Sequence, residues 1–221
     1  MTKGSWGGAR NSKDRLSDAL TRAQCLAILA SVDAMIARGI SPNRFLTVHW
    51  EKLGVAPADA LNRLSAFLNL ARDWARKRGH EIAWVWIREN DFGDGMKGEH
   101  VHILLHIPEP IIGEFTRRMT RRWLLRLVGG KYVKGASRFD TIGQRASDYR
   151  NAPEIYRENL AKLIVGYLLK GASIEVAHEL VLPRWNEGGK VVGKRWGRSQ
   201  NLKKTLDRKF DCARCDTSLS I

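Results

Sequence analysis

Two histidines set two residues apart in an apolar run are where this chain first offers chemistry. The stretch Gly98-Glu99-His100-Val101-His102-Ile103-Leu104-Leu105-His106-Ile107-Pro108 predicts a buried strand. Side chains alternate along a strand, so His100 and His102 share one face, about 7 Å apart. Two imidazoles left unpartnered in a core are costly, whereas together they can converge on one divalent ion. Two histidines, one carboxylate and open positions would accept Mn²⁺ or Mg²⁺ and leave room for a phosphate oxygen. Glu89, ending the preceding strand, is the first choice for the third ligand, and His49 on an earlier strand is the runner-up. His106 lies on the same face, but about 13 Å from His102, too far to share the ion.

A nucleophile is the next requirement. In the helical stretch 159–170, Tyr167 and Lys170 are three residues apart and are expected on one face. Spacing alone also suits a core tyrosine continuing Tyr156, Leu160, Leu163 and Ile164. A phenolate beside an ammonium and a metal-bound phosphate is a workable covalent nucleophile, because the cation lowers the cost of ionising the phenol.

The surrounding pattern supplies elements to hold these groups. Leu16 to Arg38 has helical periodicity, and Asn43 to Trp50 alternates as a first strand. Pro57 opens a helix through Arg78, and Glu81 to Glu89 is a second strand that forms a hairpin with the histidine strand. A helix follows from Ile111 to Val128. Its apolar face is Ile112, Phe115, Met119, Trp123 and Leu127, and its basic face is Arg117, Arg118, Arg121 and Arg122. A short strand is expected around Ser137 to Ile142, and Pro153 opens a helix through Lys170. This order predicts an α+β fold, an antiparallel ferredoxin-like (RRM-like) sheet with flanking helices and the histidine pair on a central strand.

The 221 residues suffice for one substantial core, and no apolar run has the length of a membrane span. Cys25, Cys212 and Cys215 are too few and too unevenly placed for a disulfide framework, so a cytoplasmic protein is expected. The formal charge of +15 points to a polyanionic partner. Part of it clusters in the segment 183–209, where nine Lys or Arg face Glu187 and Asp207. The DNA-binding residues expected from this clustering are Arg117, Arg118, Arg121 and Arg122 on the helix, with Lys194, Arg195 and Arg198 in the tail. Trp185 and Trp196, inside that tail, are candidates for base stacking. The glycines and lysine of 188–194 imitate a phosphate loop, but Arg195 stands where Ser or Thr is required, which excludes an ATPase reading.

Phe45-Leu-Thr-Val-His-Trp50, Gly98-Glu-His-Val-His-Ile-Leu104 and Tyr167-Leu-Leu-Lys170, in this order, resemble the three motifs of HUH endonucleases, nearest to the single-tyrosine replication-initiator (Rep) class. The resemblance covers roughly Arg44 to Gly171. It implies a divalent ion on His100 and His102. It also implies attack by Tyr167 on a phosphodiester of single-stranded DNA or an origin hairpin, giving a 5′-phosphotyrosine and a free 3′-OH. Lys170 would position or neutralise the phosphate. Gly171 lies four residues after Tyr167, where two-tyrosine members carry a second nucleophile. The expected organisation is an arm and helix over 1–41, the endonuclease domain over 42–173 and a basic extension over 174–221. The expected activity is metal-dependent nicking and joining at the start of rolling-circle replication of a plasmid, phage or related element, with a helicase acting in trans and no membrane. A transposase of the same chemistry and a non-catalytic nucleic-acid-binding module are the alternatives.

Overall fold

The computed structural model describes residues 15–91, 98–143, 145, 148–183 and 188–202. The elements follow in order as β1 (Leu16–Ser17), α1 (Arg22–Ala37), β2 (Arg44–His49), α2 (Pro57–Arg76), β3 (Ala83–Asp91) and β4 (Gly98–His106). Then come α3 (Glu109–Arg118), a π-helical turn (Met119–Trp123), α4 (Leu124–Val128), β5 (Ser137–Thr141), α5 (Asp148–Asn151) and α6 (Pro153–Leu163). A second π-helical turn (Ile164–Leu168), α7 (Ile174–Glu179), β6 (Val191–Val192) and β7 (Trp196–Arg198) complete the chain.

The main sheet has the order β5-β2-β4-β3-β7, and each neighbouring pair is antiparallel. The histidine strand β4 lies in its centre, buried from Gly98 to Leu105. Alternation then sorts the strand side chains into two cores. Leu46, Val48, Trp84, Trp86, Val101, Ile103 and Leu105 pack under α2 (Leu64, Phe67, Leu68) and under the α3–α4 helix (Phe115, Met119, Trp123). Phe45, Val85, Ile87 and Leu104 face the other way, against α1 (Cys25, Ile28, Val32, Met35) and α6 (Tyr156, Leu160). The sheet is therefore sandwiched between two helical layers.

Local sequence explains the helix ends. Thr21 accepts a hydrogen bond from the Gln24 amide, and the Gln24 side chain accepts one from the Thr21 amide, a reciprocal cap that starts α1 six residues later than periodicity alone predicts. Pro57 and Pro153 occupy the first turns of α2 and α6, where a missing N–H costs nothing. The helix predicted over 153–170 instead widens into the π turn and ends at Leu168, so Lys170 lies beyond it.

The described parts of the flanks expected as an arm and an extension pair and pack with the central sheet and its helices. β1 pairs with β6, β7 pairs with β3, and α1 contributes to the second core. Arg88 carries its guanidinium into this junction. It forms a fully buried ion pair with Glu99 (2.7 Å) and donates to the Val192 and Lys194 carbonyls. Among the described residues no helix is long and apolar enough to cross a membrane.

Candidate active site

Strand register places the polar groups in rows across the second face of the sheet. His49, His100 and Glu89 stand opposite one another on β2, β4 and β3, and in the next row Arg138 and Thr47 lead to His102. Alternation carries these residues away from the tryptophans and toward α6. Glu89, His100 and His102 each offer a ligand atom, all within 4.8 Å of one another, and all three are buried. Ligand atoms around a divalent ion at about 2.0–2.2 Å are no more than about 4.4 Å apart, so the cluster needs only slight contraction to hold one.

Hydrogen bonding makes the case for a cation stronger than proximity does. The His100 Nδ1 lies 2.7 Å from the Gly98 carbonyl, an acceptor only, and so carries its proton there. Its Nε2 meets the Glu89 Oε2 at 3.1 Å. A neutral ring would point a lone pair at a carboxylate, so the contact requires either a second proton or a metal ion. His102 is held in the same manner, with Nδ1 2.9 Å from the Thr47 hydroxyl. The His102 Nε2 and the Glu89 Oε1 are buried with no hydrogen-bond partner among the described residues. Open atoms on convergent ligands, with the outer nitrogens fixed, suit a metal centre.

The charge balance points the same way. Burial opposes ionisation of Glu89, but His100, His102 and the Lys170 ammonium outweigh it and hold the carboxyl well below the usual carboxylate range. Burial lowers the pKa of His102 and keeps the ring neutral, as a ligand must be. The Lys170 Nζ lies 2.6 Å from the Glu89 Oε2. The lysine expected beside Tyr167 on one helix face thus reaches the site from the turn after the helix, and its contact is with the carboxylate.

Tyr167 sits in the π turn, and its ring centroid lies 5.5 Å from both His102 and Phe45. It is 42% exposed, which removes the core-tyrosine reading; Tyr156 and Leu160 fill that role. Its ring borders a cleft of about 570 Å³ between β2, β5 and α6, lined also by Thr47, His49, His102, Arg138, Asp140 and Asn159. The turn is closed by a bond from the Leu169 amide to the Ile164 carbonyl (2.9 Å), five residues back. Such turns recur at functional sites because the extra residue re-aims a side chain. Gly171 packs against Gly188 and beside the Glu89 carboxylate, where an added Cβ would sit in ordinary contact at 3.6 Å from each.

The expected DNA-binding residues are scattered. Arg117, Arg118 and Arg122 belong to the helix on the opposite face of the sheet from Tyr167, and Arg118 is bound to Glu114 (2.6 Å). The side chain of Arg121 lies outside the described residues. Arg195 corrects the expectation most clearly. It is 2% exposed and donates to the Ser17 hydroxyl and to the carbonyls of Ser17, Gly188 and Gly189, which leaves it no reach toward DNA. Arg198 turns to the Ser31 hydroxyl of α1, and the exposed Lys194 places its ammonium 5.8 Å from the Trp86 ring centroid. Trp196, expected to stack on bases, packs against the second core, and Trp185 lies outside the described residues, as do Cys212 and Cys215.

Sequence reasoning missed Arg138, Asp140, Thr47 and Asn159 as site residues. The alternation of 137–141 was a usable signal for Arg138 and Asp140, since Phe139 must face the core. His49, the runner-up ligand, stacks on His100 with ring centroids 5.3 Å apart and lines the cleft, while Glu89 completes the buried cluster. No protein-family model, no curated protein and no solved structure matches this chain.

Proposed function

We propose that this protein is an HUH-type endonuclease of the single-tyrosine class that nicks and joins single-stranded DNA through Tyr167, in the manner of a replication initiator. The observation that carries the reading is the exposed Tyr167 ring, 5.5 Å from His102 at the edge of the Glu89-His100-His102 cluster. The connectivity strand-helix-strand-strand-helix-strand, with the order β5-β2-β4-β3, supports a ferredoxin-like core to which β7 adds an edge strand.

Glu89, His100 and His102 would hold the divalent ion, with Mn²⁺ favoured over Mg²⁺ by the two imidazoles. When bound, the ion supplies Lewis acidity toward a phosphate oxygen. Thr47 and the Gly98 carbonyl orient the two rings, and Lys170 holds the Glu89 carboxylate ionised. Tyr167 gives up its phenolic proton and forms an Oη–P bond, the P–O3′ bond breaks, and the departing oxygen takes a proton to become the 3′-OH. The reverse step joins strands. One nucleophile, with Gly171 where a second would stand, fits a single transesterification per site, with strand separation left to a helicase in trans.

The test is a covalent adduct. Wild-type protein with Mn²⁺ and single-stranded oligonucleotides covering a candidate origin should give a denaturation-resistant protein–DNA band. EDTA and Tyr167→Phe should each abolish it while DNA affinity is retained. An adduct that persists in Tyr167→Phe removes the nucleophile assignment.

A further inference from the structure

The arginine helix lies across the sheet from Tyr167, so the cleft must draw its nucleic acid from other cations. Among the residues lining the cleft the cation is Arg138, on the edge strand. β5 is the outermost strand on its side of the sheet, and Phe139 packs inward, so Arg138 and Asp140 point to the cleft face. Arg138 pairs in register with Thr47, the residue that bonds His102. Two strand spacings, about 10 Å, separate the backbones of Arg138 and His102, a gap that an arginine and a phosphodiester can bridge together. The Arg138 guanidinium is exposed and tied to Asp140 (2.7 Å). Its pKa is raised, first by that hydrogen bond and then by the charge of Asp140.

The loop leading into β5 extends the same edge. Lys131 and Lys134 are exposed, and Tyr132 (37% exposed) is steadied by a 3.0 Å hydrogen bond between its hydroxyl and that of Ser137. The loop is also fastened to the site, because the His49 amide donates to the Ala136 carbonyl (2.8 Å). Arg138 faces the cleft and Lys131 and Lys134 are exposed on the loop before it, opposed by Asp140 alone among the other charged groups of β5 and this loop, whereas Tyr132 is bonded to Ser137, which pairs with Val48 and points to the other face of the sheet. Among the described residues β5 has no strand on its outer side, and an edge carrying cations suits the phosphates of a single strand.

We propose that this open edge, Arg138 with Lys131 and Lys134, is the track that leads single-stranded nucleic acid into the Tyr167 cleft, with Arg138 as a positioning residue for a phosphate beside the one attacked. The inference rests on the reading of the cleft given above, but its test does not depend on cleavage.

Binding of a fluorescent single-stranded oligonucleotide is measured against salt in a Tyr167→Phe background. Lys131→Ala/Lys134→Ala/Arg138→Ala should lower the slope of log K against log salt by about 2, from three contacts at about 0.7 each. Arg138→Lys should recover most of the affinity lost in Arg138→Ala, and Arg117→Ala/Arg122→Ala should match the parent. Circular dichroism checks that each variant is folded. An unchanged slope in the triple variant, or a loss confined to the Arg117/Arg122 variant, overturns the track and leaves the edge charges as guards against strand pairing. Absence of any single-strand binding by the parent also overturns it. An adduct in the wild type with an unchanged slope in the triple variant sinks the track alone, whereas a lowered slope with no adduct sinks the catalytic reading alone.

Discussion

Thr47 makes no contact with an ion in this arrangement, yet it decides how well His102 can bind one. Thr47→Val keeps the shape and removes the hydroxyl that fixes the His102 ring, so Mn²⁺ affinity should fall ten- to a hundredfold with the fold unchanged. Titration of the ion by calorimetry checks this, and equal affinities would show that the hydroxyl plays no part. The residue scale is also where sequence was most and least informative. Imidazoles in an apolar strand announce themselves, because burial without a partner would be too costly. Glu89 followed from the hairpin that sets it beside His100. Arg195 could not be read in the same way, since a charged residue in a basic run looks solvated. Its burial depends on oxygens from Ser17, Gly188 and Gly189 that only the folded chain brings together. Lys170 is expected from spacing beside Tyr167 on one helix face, whereas its contact is the Glu89 carboxylate, which only the folded chain brings within reach.

At the scale of elements, the strands and most of the helix starts were legible from alternation, prolines and caps. The π turns were not, because a period of 3.6 residues was assumed throughout each helix and one extra residue per turn leaves no compositional mark. The turn that aims Tyr167 contains Gly166, whose missing Cβ would meet nothing within 4 Å. Gly166→Ala should therefore stabilise the protein by about 0.5–1 kcal/mol through helix propensity, without a clash. Urea unfolding measures this, and a destabilised variant would mean that the turn needs glycine for its backbone. The pairing of β7 with β3 is not legible in the sequence. Trp-Gly-Arg has too little pattern to read as a strand, and Gly197 matters because a side chain there would strike Trp86.

For the molecule as a whole, two buried groups set how it meets alkali. Burial pushes the Cys25 thiol up to about 11, and the Tyr156 phenol, which donates to the Pro42 carbonyl, up to about 12. Both values are raised, so their contribution to stability is complete below the unfolded values near 9 and 10 and is lost as pH rises through the folded ones. The urea midpoint should hold to about pH 9 and decline between about pH 9 and 12, and Cys25→Ala should flatten the lower part of that decline. A midpoint unchanged up to pH 11 would contradict the burial argument. The net charge of +15 suits a polyanionic partner but does not say which side of the sheet would meet one, because charge counts carry no information about which layer an arginine occupies. The way the chain closes has a consequence for its synthesis. Strand β1 waits for β6, β3 waits for β7, and Gly188 packs against Gly171 and the Glu89 side chain. A nascent chain on the ribosome therefore carries Tyr167 and both histidines before it can complete the wall behind them. The cleft beside Tyr167 is therefore walled on that side only once β6 and β7 have been synthesised.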